Sequence, residues 1–367
     1  MIKILLTISF IFILLVSVNA QDYKLHSFYE NDTILEQKIN EVFYSMNDTT
    51  RVAQMIITSA GKLGKSEKVV YNLAKENKIG GVVFLKGTME KHKEMTDSLN
   101  SINHSFGNLP LLFSSDAEPS LFNGRLQGTD PIMKTIDIKT IKESDSIARI
   151  INTNLIEVGF HQNFAPVVDI SPQNEAIKNR SFGNDKATVI DLSRQFIQTT
   201  QEQGIVSTAK HFPGHGLVKG DTHKKSVYID GDLQELDIYP PLIEAGVLSI
   251  MMAHIIIKNN SKYSTNGLPA SCSRVIVTDL LKGELGFKGI VITDALNIMK
   301  AVTIIDNAPL LASKAGNDML LMPIDEMATI NSILTEMEID STYKKQVYES
   351  VKKIIRLKIC LGIIKVD

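Results

Sequence analysis

Ile205-Val206-Ser207-Thr208-Ala209-Lys210 runs straight into His211-Phe212-Pro213-Gly214-His215-Gly216. The first half is short and rich in β-branched residues; the second opens on polar side chains and is broken by proline and glycine. Such a stretch reads as a strand whose C-terminal end carries Lys210 and His211. Seven more runs of this kind follow the same grammar: Met55 to Thr58, Gly81 to Leu85, Leu111 to Ser115, Phe164 to Asp169, Ser249 to Ala253, Gly289 to Thr293 and Met319 to Met322. Five of the seven intervals between their starts fall at roughly 30 to 45 residues, the beat of strand-helix-strand units. Between them, Ile141 to Val158 and Ala187 to Gln203 have helical periodicity, and an amphipathic stretch from Tyr343 to Leu361 closes the chain. Gly80-Gly81, Gly159, Gly204 and Gly289 precede strands, where the connection from a helix commonly needs a left-handed residue.

Eight runs, with no glycine-rich phosphate loop after the first, favour an α/β fold closed as a (β/α)8 TIM-type barrel over an open doubly wound sheet. No linker or low-complexity tract divides the chain, so a single domain is expected, with residues 1–20 as a signal peptide, 21–50 as a polar lead-in and 51–367 as the barrel. Ser115-Asp116, Asp169, Lys210-His211, His254 and Thr293-Asp294 each stand at or just past the end of a different strand. In a parallel barrel those ends meet on one face, the face that carries catalysis.

Composition narrows the function. A net charge of -2 over 367 residues provides no field for a polyanion, so nucleic acid is not expected as a partner. Lys3, the apolar run Ile4 to Val18 and the small-residue pattern Val18-Asn19-Ala20 before Gln21 read as a cleavable signal peptide, which predicts export to the periplasm or beyond. A retained membrane anchor is the competing reading, although the run is short for a bilayer of about 30 Å. After cleavage no stable membrane insertion is expected. Cys272 stands in a polar loop and Cys360 in the apolar last helix; two independent thiols are expected, with Cys360 in the core.

Four residues beyond Gly216 stands Asp221-Thr222-His223. Gly214, Gly216 and Gly220 predict a mobile surface loop after Pro213 rather than a helix. An Asp two residues before a His can orient the imidazole and stabilise its protonated form, which suits a group that gives and then takes a proton near neutral pH. The run from Lys210 to His223 resembles the hallmark of the NagZ-like branch of glycoside hydrolase family 3 at every fixed position. The resemblance extends to Ile79-Gly80-Gly81-Val82-Val83, Phe164-Ala165-Pro166-Val167-Val168-Asp169, Asn179-Arg180-Ser181-Phe182-Gly183, Gly286 to Leu296 and Ala315-Gly316-Asn317-Asp318-Met319. It implies a retaining β-N-acetylhexosaminidase, with Asp294 as nucleophile and His223, oriented by Asp221, as acid and then base. By the same resemblance Asp116, Arg180, Lys210 and His211 hold the sugar. The implied partner is an oligosaccharide; no cofactor and no metal are implied, and a monomer is expected.

One stretch departs from the family pattern: Asp116-Ala117-Glu118-Pro119-Ser120-Leu121-Phe122-Asn123-Gly124-Arg125 lacks the paired glycines and delays the arginine, which leaves the role of Arg125 open. Plainer roles also stand beside the catalytic ones. Asp294 has the position of a helix cap, His215 and His254 that of backbone-bonding rim residues, and Arg180 that of a partner for Asp169. Two other functions are open. His211, His215, His223 and Asp221 have the residue types of a zinc site, which makes a metal-dependent hydrolase conceivable, although Pro213-Gly214 blocks helical presentation of the first two. The altered loop after Asp116 is compatible with an inactive N-acetylglucosamine-binding protein.

Overall fold

The computed structural model describes residues 23–170, 174–220 and 226–365. Eight parallel strands form the principal sheet: β1 Ile56–Ala60, β2 Gly81–Phe84, β3 Leu112–Ser115, β4 Gln162–Asn163, β5 Val206–Phe212, β6 Ser249–Met252, β7 Ile290–Thr293 and β8 Leu320–Leu321. Each pairs with its sequence neighbour, and β1 also pairs with β8. The last seam, between β7 and β8, is closed by the bridge Ile292 to Met319 and by the bonds from Met319 N to Val291 O (3.0 Å) and Thr293 N to Met319 O (3.1 Å). The expected (β/α)8 barrel is therefore what the chain forms. Every residue of β1, β2, β3, β5, β6 and β7 is buried, as expected for strands covered by side chains inside and helices outside.

Local chemistry fixes the element ends. The helix Ile141–Glu157 starts at a capping box: Thr140 Oγ1 accepts from Glu143 N, and the Glu143 carboxylate accepts from Thr140 N. The last helix, Ser341–Cys360, begins two residues before its apolar periodicity because Asp340 accepts from Thr342 N and Tyr343 N. The glycines before strands divide into two kinds. Gly159 and Gly204 have φ of +78° and +81°, the left-handed geometry expected. Gly80, Gly81 and Gly289 do not, and serve close approach instead: a Cβ on Gly80 would lie 2.0 Å from Gln54 O.

The fourth strand differs from its expected span. The regular ladder is Gln162–Asn163, and the run Phe164 to Asp169 continues beside β5 only through scattered bonds such as the Val167 to Lys210 bridge. Pro166 has no N–H to give, so the ladder cannot pass through it.

The stretch read as a lead-in is helical, at Leu25–Tyr29, Thr33–Tyr44 and Asp48–Ala53, and Phe28, Leu35, Ile39 and Phe43 are buried. Arg356 of the last helix donates to Phe28 O and Glu30 O, and Tyr348 Oη donates to Asp48. At the N-terminal end of the barrel, the fully buried Lys358 ammonium donates to Gln54 Oε1, Gly80 O and Pro110 O at 2.7 to 2.9 Å. Cys272 and Cys360 are both free and both buried; Cys272 does not lie in a solvated loop, and burial pushes its thiol up to about 11. Among the described residues no helix is long and apolar enough to cross a membrane. The signal-peptide reading of residues 1–20 lies outside the described residues.

Candidate active site

The site begins with an irregularity in β5. Its register against β6 runs Thr208 to Ser249, Ala209 to Ile250 and Lys210 to Met251, then jumps to Phe212 opposite Met252. His211 is thus an extra residue, a bulge. In a regular strand neighbouring side chains point to opposite faces; the bulge re-aims them, and Lys210 and His211 both line one cavity at the C-terminal end of the barrel.

The loop after β3 supplies the opposing charges. Asn163, in β4, accepts from Ala117 N through Oδ1 and donates to Ala117 O through Nδ2, which clamps the residue between Asp116 and Glu118. Asp116 pairs with Lys210 and with Arg125 Nη2 (2.9 Å). Glu118, with no exposed surface, accepts from Arg180 Nε and Nη2 at 2.8 to 3.0 Å and lies 3.1 Å from Lys210 Nζ. Burial alone would raise the Asp116 carboxyl, but Lys210, Arg125 and Arg180 outweigh it and hold the group far below the usual carboxylate range. Asp116 is therefore an obligate anion, an acceptor for hydroxyl groups and not a proton donor.

Asp169 joins the ends of β4 and β5. Its carboxylate accepts from His211 N at 3.2 Å and His215 N at 2.7 Å and lies 2.6 Å from His211 Nδ1. Burial opposes its charge, yet His211 beside it, first among its neighbours, holds the carboxyl below its ordinary value. Asn174 Nδ2 donates to His215 O and Val218 O, and Glu235 accepts from Ile170 N and Leu217 N. The loop beyond Pro213 accordingly starts as a pinned segment rather than a mobile surface one: Gly214, His215, Gly216 and Val218 are buried. Gly216 permits close packing against Ile170 O, while Gly214 and Gly220, at φ of +126° and +108°, take backbone conformations closed to most other residues. Asp221 and His223 lie outside the described residues.

Asp294 follows β7 and is half-buried in the same cavity. One carboxylate oxygen accepts from Ala295 N at 2.7 Å, the capping bond, and the other carries no bond among the described residues. Burial would raise the group; His211 and then His254 lead the opposing charges and keep it below its ordinary value. His254, fully buried, holds Ser271 Oγ with Nδ1 at 2.6 Å, and its Nε2 finds no partner among the described residues. The cavity is about 250 Å³, and Leu85, Phe164, Met251, Ile298 and Met299 complete its walls around the charged groups. That is near the lower end of small-molecule sites, roughly 300 Å³, and suits one sugar ring better than a chain of them. A cleft of about 780 Å³ beside Thr33–Tyr44 is larger, but it lies away from the strand ends.

The sequence pattern of the glycosyl hydrolase family 3 N terminal domain matches residues 47–357. The chain belongs to glycosyl hydrolase family 3. A beta-hexosaminidase of Vibrio cholerae is 30% identical over 296 residues, 76% of this chain and 87% of that protein. Among solved structures, a glycoside hydrolase family 3 beta-N-acetylglucosaminidase from a Paenibacillus species superposes with a TM-score of 0.79 at 27% identity, over 87% of this chain. The present chain spans 63% of that enzyme's length. A beta-N-acetylhexosaminidase from Beutenbergia cavernae, 24% identical, superposes with a TM-score of 0.76 over 84% of this chain and 97% of its own, a likeness of fold.

Within this family 3 barrel, Asp116, Arg180, Lys210, His211 and Asp294 are brought into one cavity. Arg180 does not pair with Asp169 as its plainer reading had it; its partner is Glu118. Arg125, left open because the glycosyl hydrolase pattern is stretched there, nevertheless reaches Asp116: the extra residues form the short turn Phe122–Arg125, which carries the guanidinium back over the pocket. Glu118 and Glu235 were not singled out from sequence. The only signal for Glu118 was an acid two residues after a site aspartate, and for Glu235 there was none.

Proposed function

We propose that this chain is a retaining β-N-acetylhexosaminidase that removes terminal, non-reducing β-linked N-acetylglucosamine from peptidoglycan fragments or other oligosaccharides. Asp294 attacks the anomeric carbon as the glycosidic bond breaks, and the leaving oxygen takes its proton from His223, oriented by Asp221. Water, giving its proton to His223, then attacks the same carbon and releases Asp294. Asp116, Arg180, Lys210 and His211 hold the sugar.

The observation that carries this reading is Asp294: a carboxylate held below its ordinary value, with one oxygen unbonded among the described residues, lining a one-ring pocket with Asp116, Arg125, Arg180 and Lys210. The same charges bear on the proton donor. Retaining glycosidases usually pair the nucleophile with a protonated carboxyl. Here Asp116 and Asp169 are both held ionised, which leaves the acid role to another kind of group. The names of the relatives, beta-hexosaminidase and beta-N-acetylglucosaminidase, support the substrate class.

A nitrophenyl N-acetylglucosaminide tests the activity, and a slow 2-fluoro glycoside should leave a sugar on Asp294. Asp294→Asn should lose at least about 10²- to 10⁴-fold in turnover, since a covalent nucleophile contributes no less than general acid-base help. A label mapped to another carboxylate, or activity abolished by exhaustive chelation, would sink the assignment; the second outcome would favour a metal-dependent hydrolase. We propose further that residues 1–20 are a cleaved signal peptide, that the barrel spans 51–367 and that the mature protein is an exported monomer. A mature N-terminus other than Gln21 overturns the first of these.

A further inference from the structure

Glu235 is only 4% exposed, and its carboxylate is aimed at backbone from two loops. Oε1 accepts from Ile170 N at 2.8 Å, just past Asp169, and Oε2 accepts from Leu217 N at 3.1 Å, in the loop that leads to His223; Gly216 N also contributes a bond. Gly214 and Gly216 pack against it. A Cβ on Gly216 would lie 1.6 Å from Ile170 O and 2.7 Å from Glu235 Oε1. Tyr239, four residues on, packs its ring edge-on to Phe212 at the end of β5, with ring centroids 4.7 Å apart, which ties the segment carrying Glu235 to that strand.

No cation pairs with Glu235 among the described residues. Burial, then the charge of Asp169, pushes its carboxyl up, while the N–H groups of Ile170, Leu217 and Gly216 pull the other way. Buried N–H groups of two loops need an acceptor, and both oxygens of Glu235 serve as one. Nor does Glu235 touch the sugar pocket. It lines a separate cleft of about 450 Å³ with Pro213, Leu217 and Tyr228.

We propose that Glu235 is a positioning residue for acid-base catalysis: its carboxyl staples the Gly216-Leu217 backbone to Ile170 and so fixes the point from which the chain runs on to His223. The proposal rests on His223 being the acid, and the test separates the two claims. Glu235→Gln keeps the volume but replaces one acceptor oxygen by an NH2 group that cannot accept. Its kcat/KM on a disaccharide, whose poor leaving group needs the proton, should fall by about 10-fold or more, within the range of general acid catalysis, while the value on a nitrophenyl glycoside stays within about threefold. Glu235→Asp, which retains both acceptor oxygens, should recover part of the disaccharide loss.

His223→Ala is measured in parallel and should show the same selectivity more strongly. If His223→Ala is selective and Glu235→Gln loses both substrates equally, or neither, the Glu235 proposal is overturned alone. If His223→Ala is not selective, the acid-base reading falls and the proposal with it. Should Glu235→Gln not fold, Glu235→Asp is read in its place: its shorter side chain loosens the same staple and is expected to give a smaller loss of the same selectivity, and an unselective Glu235→Asp then overturns the proposal.

Discussion

Glu118 holds two cations that reach it from other strand ends, and Arg180 is 62 residues further along the chain. Neither spacing nor periodicity could announce that pairing, because it exists only once β3, β4 and β5 lie side by side. Asp116, Lys210, His211 and Asp294 were legible for the opposite reason: each ends an apolar run, and a parallel barrel gathers such ends whatever their separation. The arrangement predicts what Glu118→Gln does. It removes the charge that Arg180 grips with two nitrogens and leaves Lys210, 2% exposed, with Asp116 as its remaining counter-ion. Breaking one side of a buried pair costs about 3–5 kcal/mol, and solvent at the partly exposed Arg180 argues for the lower end. The expected result is a loss of about 3 kcal/mol in a denaturant titration and a KM about tenfold higher or more, with Asp294 still labelled by a slow substrate. An unchanged midpoint and KM would mean that Glu118 is a bystander.

Among the elements, the seam between β7 and β8 shows how little ladder the barrel needs where a side chain takes over. Asp318 sits just before β8, fully buried; it accepts from Val291 N at 2.9 Å and Ser350 Oγ at 2.8 Å and lies within 3.1 to 3.3 Å of the Lys282 and Lys353 ammonium groups. One carboxylate thus joins β7, the strand it precedes, the helix Val275–Glu284 and the last helix. Asp318→Asn leaves two lysines facing a neutral amide and should cost about 3–5 kcal/mol, read as a shift of the urea midpoint at constant slope. A shift worth less than about 1 kcal/mol, the range of surface pairs, would show the seam to be held by its ladder alone. Elements were otherwise legible to within a few residues, and the misreadings have causes. Pro166 breaks the fourth ladder although its neighbours alternate like a strand. The glycines after Pro213 suggested a free loop, yet Glu235 presses against Gly214, and Ile170 O and Glu235 press against Gly216. Glycine marks permission, and whether freedom or close contact uses it is decided by residues far away in sequence.

At the scale of the whole molecule, the buried titratable groups set how stability answers to acid. His161, His92, His215 and His254 are all lowered from their ordinary value near 6.5, burial being the largest cause in each, and His161 reaches about 4. For His161 the charge of Lys358 adds to burial, and its Nδ1 accepts from Phe113 N at 3.0 Å, a bond that a protonated nitrogen could not accept. A base whose value is lowered by folding binds its proton in the unfolded chain first. Between pH 6.5 and about 4 the unfolded state therefore holds more protons at these four sites, and stability is lost as pH falls through that window. Glu235 works the other way, since its value is raised to about 8: its contribution grows as pH falls from 8 towards 4.5. Between pH 6.5 and 4.5 Glu235 and His161 act over the same window with opposite sign, and the other three histidines turn the net slope downward. Below about pH 4 the carboxylates of Asp116, Asp169, Asp294 and Asp318, all lowered by folding, add their own loss as they take up protons. A thermal unfolding series at fixed ionic strength should thus show the midpoint falling steadily from pH 6.5 to 4.5 and more steeply below 4. His161→Gln, whose side-chain oxygen can still accept from Phe113 N without titrating, should flatten part of the upper limb and leave the lower one in place. A midpoint that stayed level from pH 6.5 to 4.5 in the wild type, or a His161→Gln profile parallel to it, would show that these histidines meet water more freely than their packing implies.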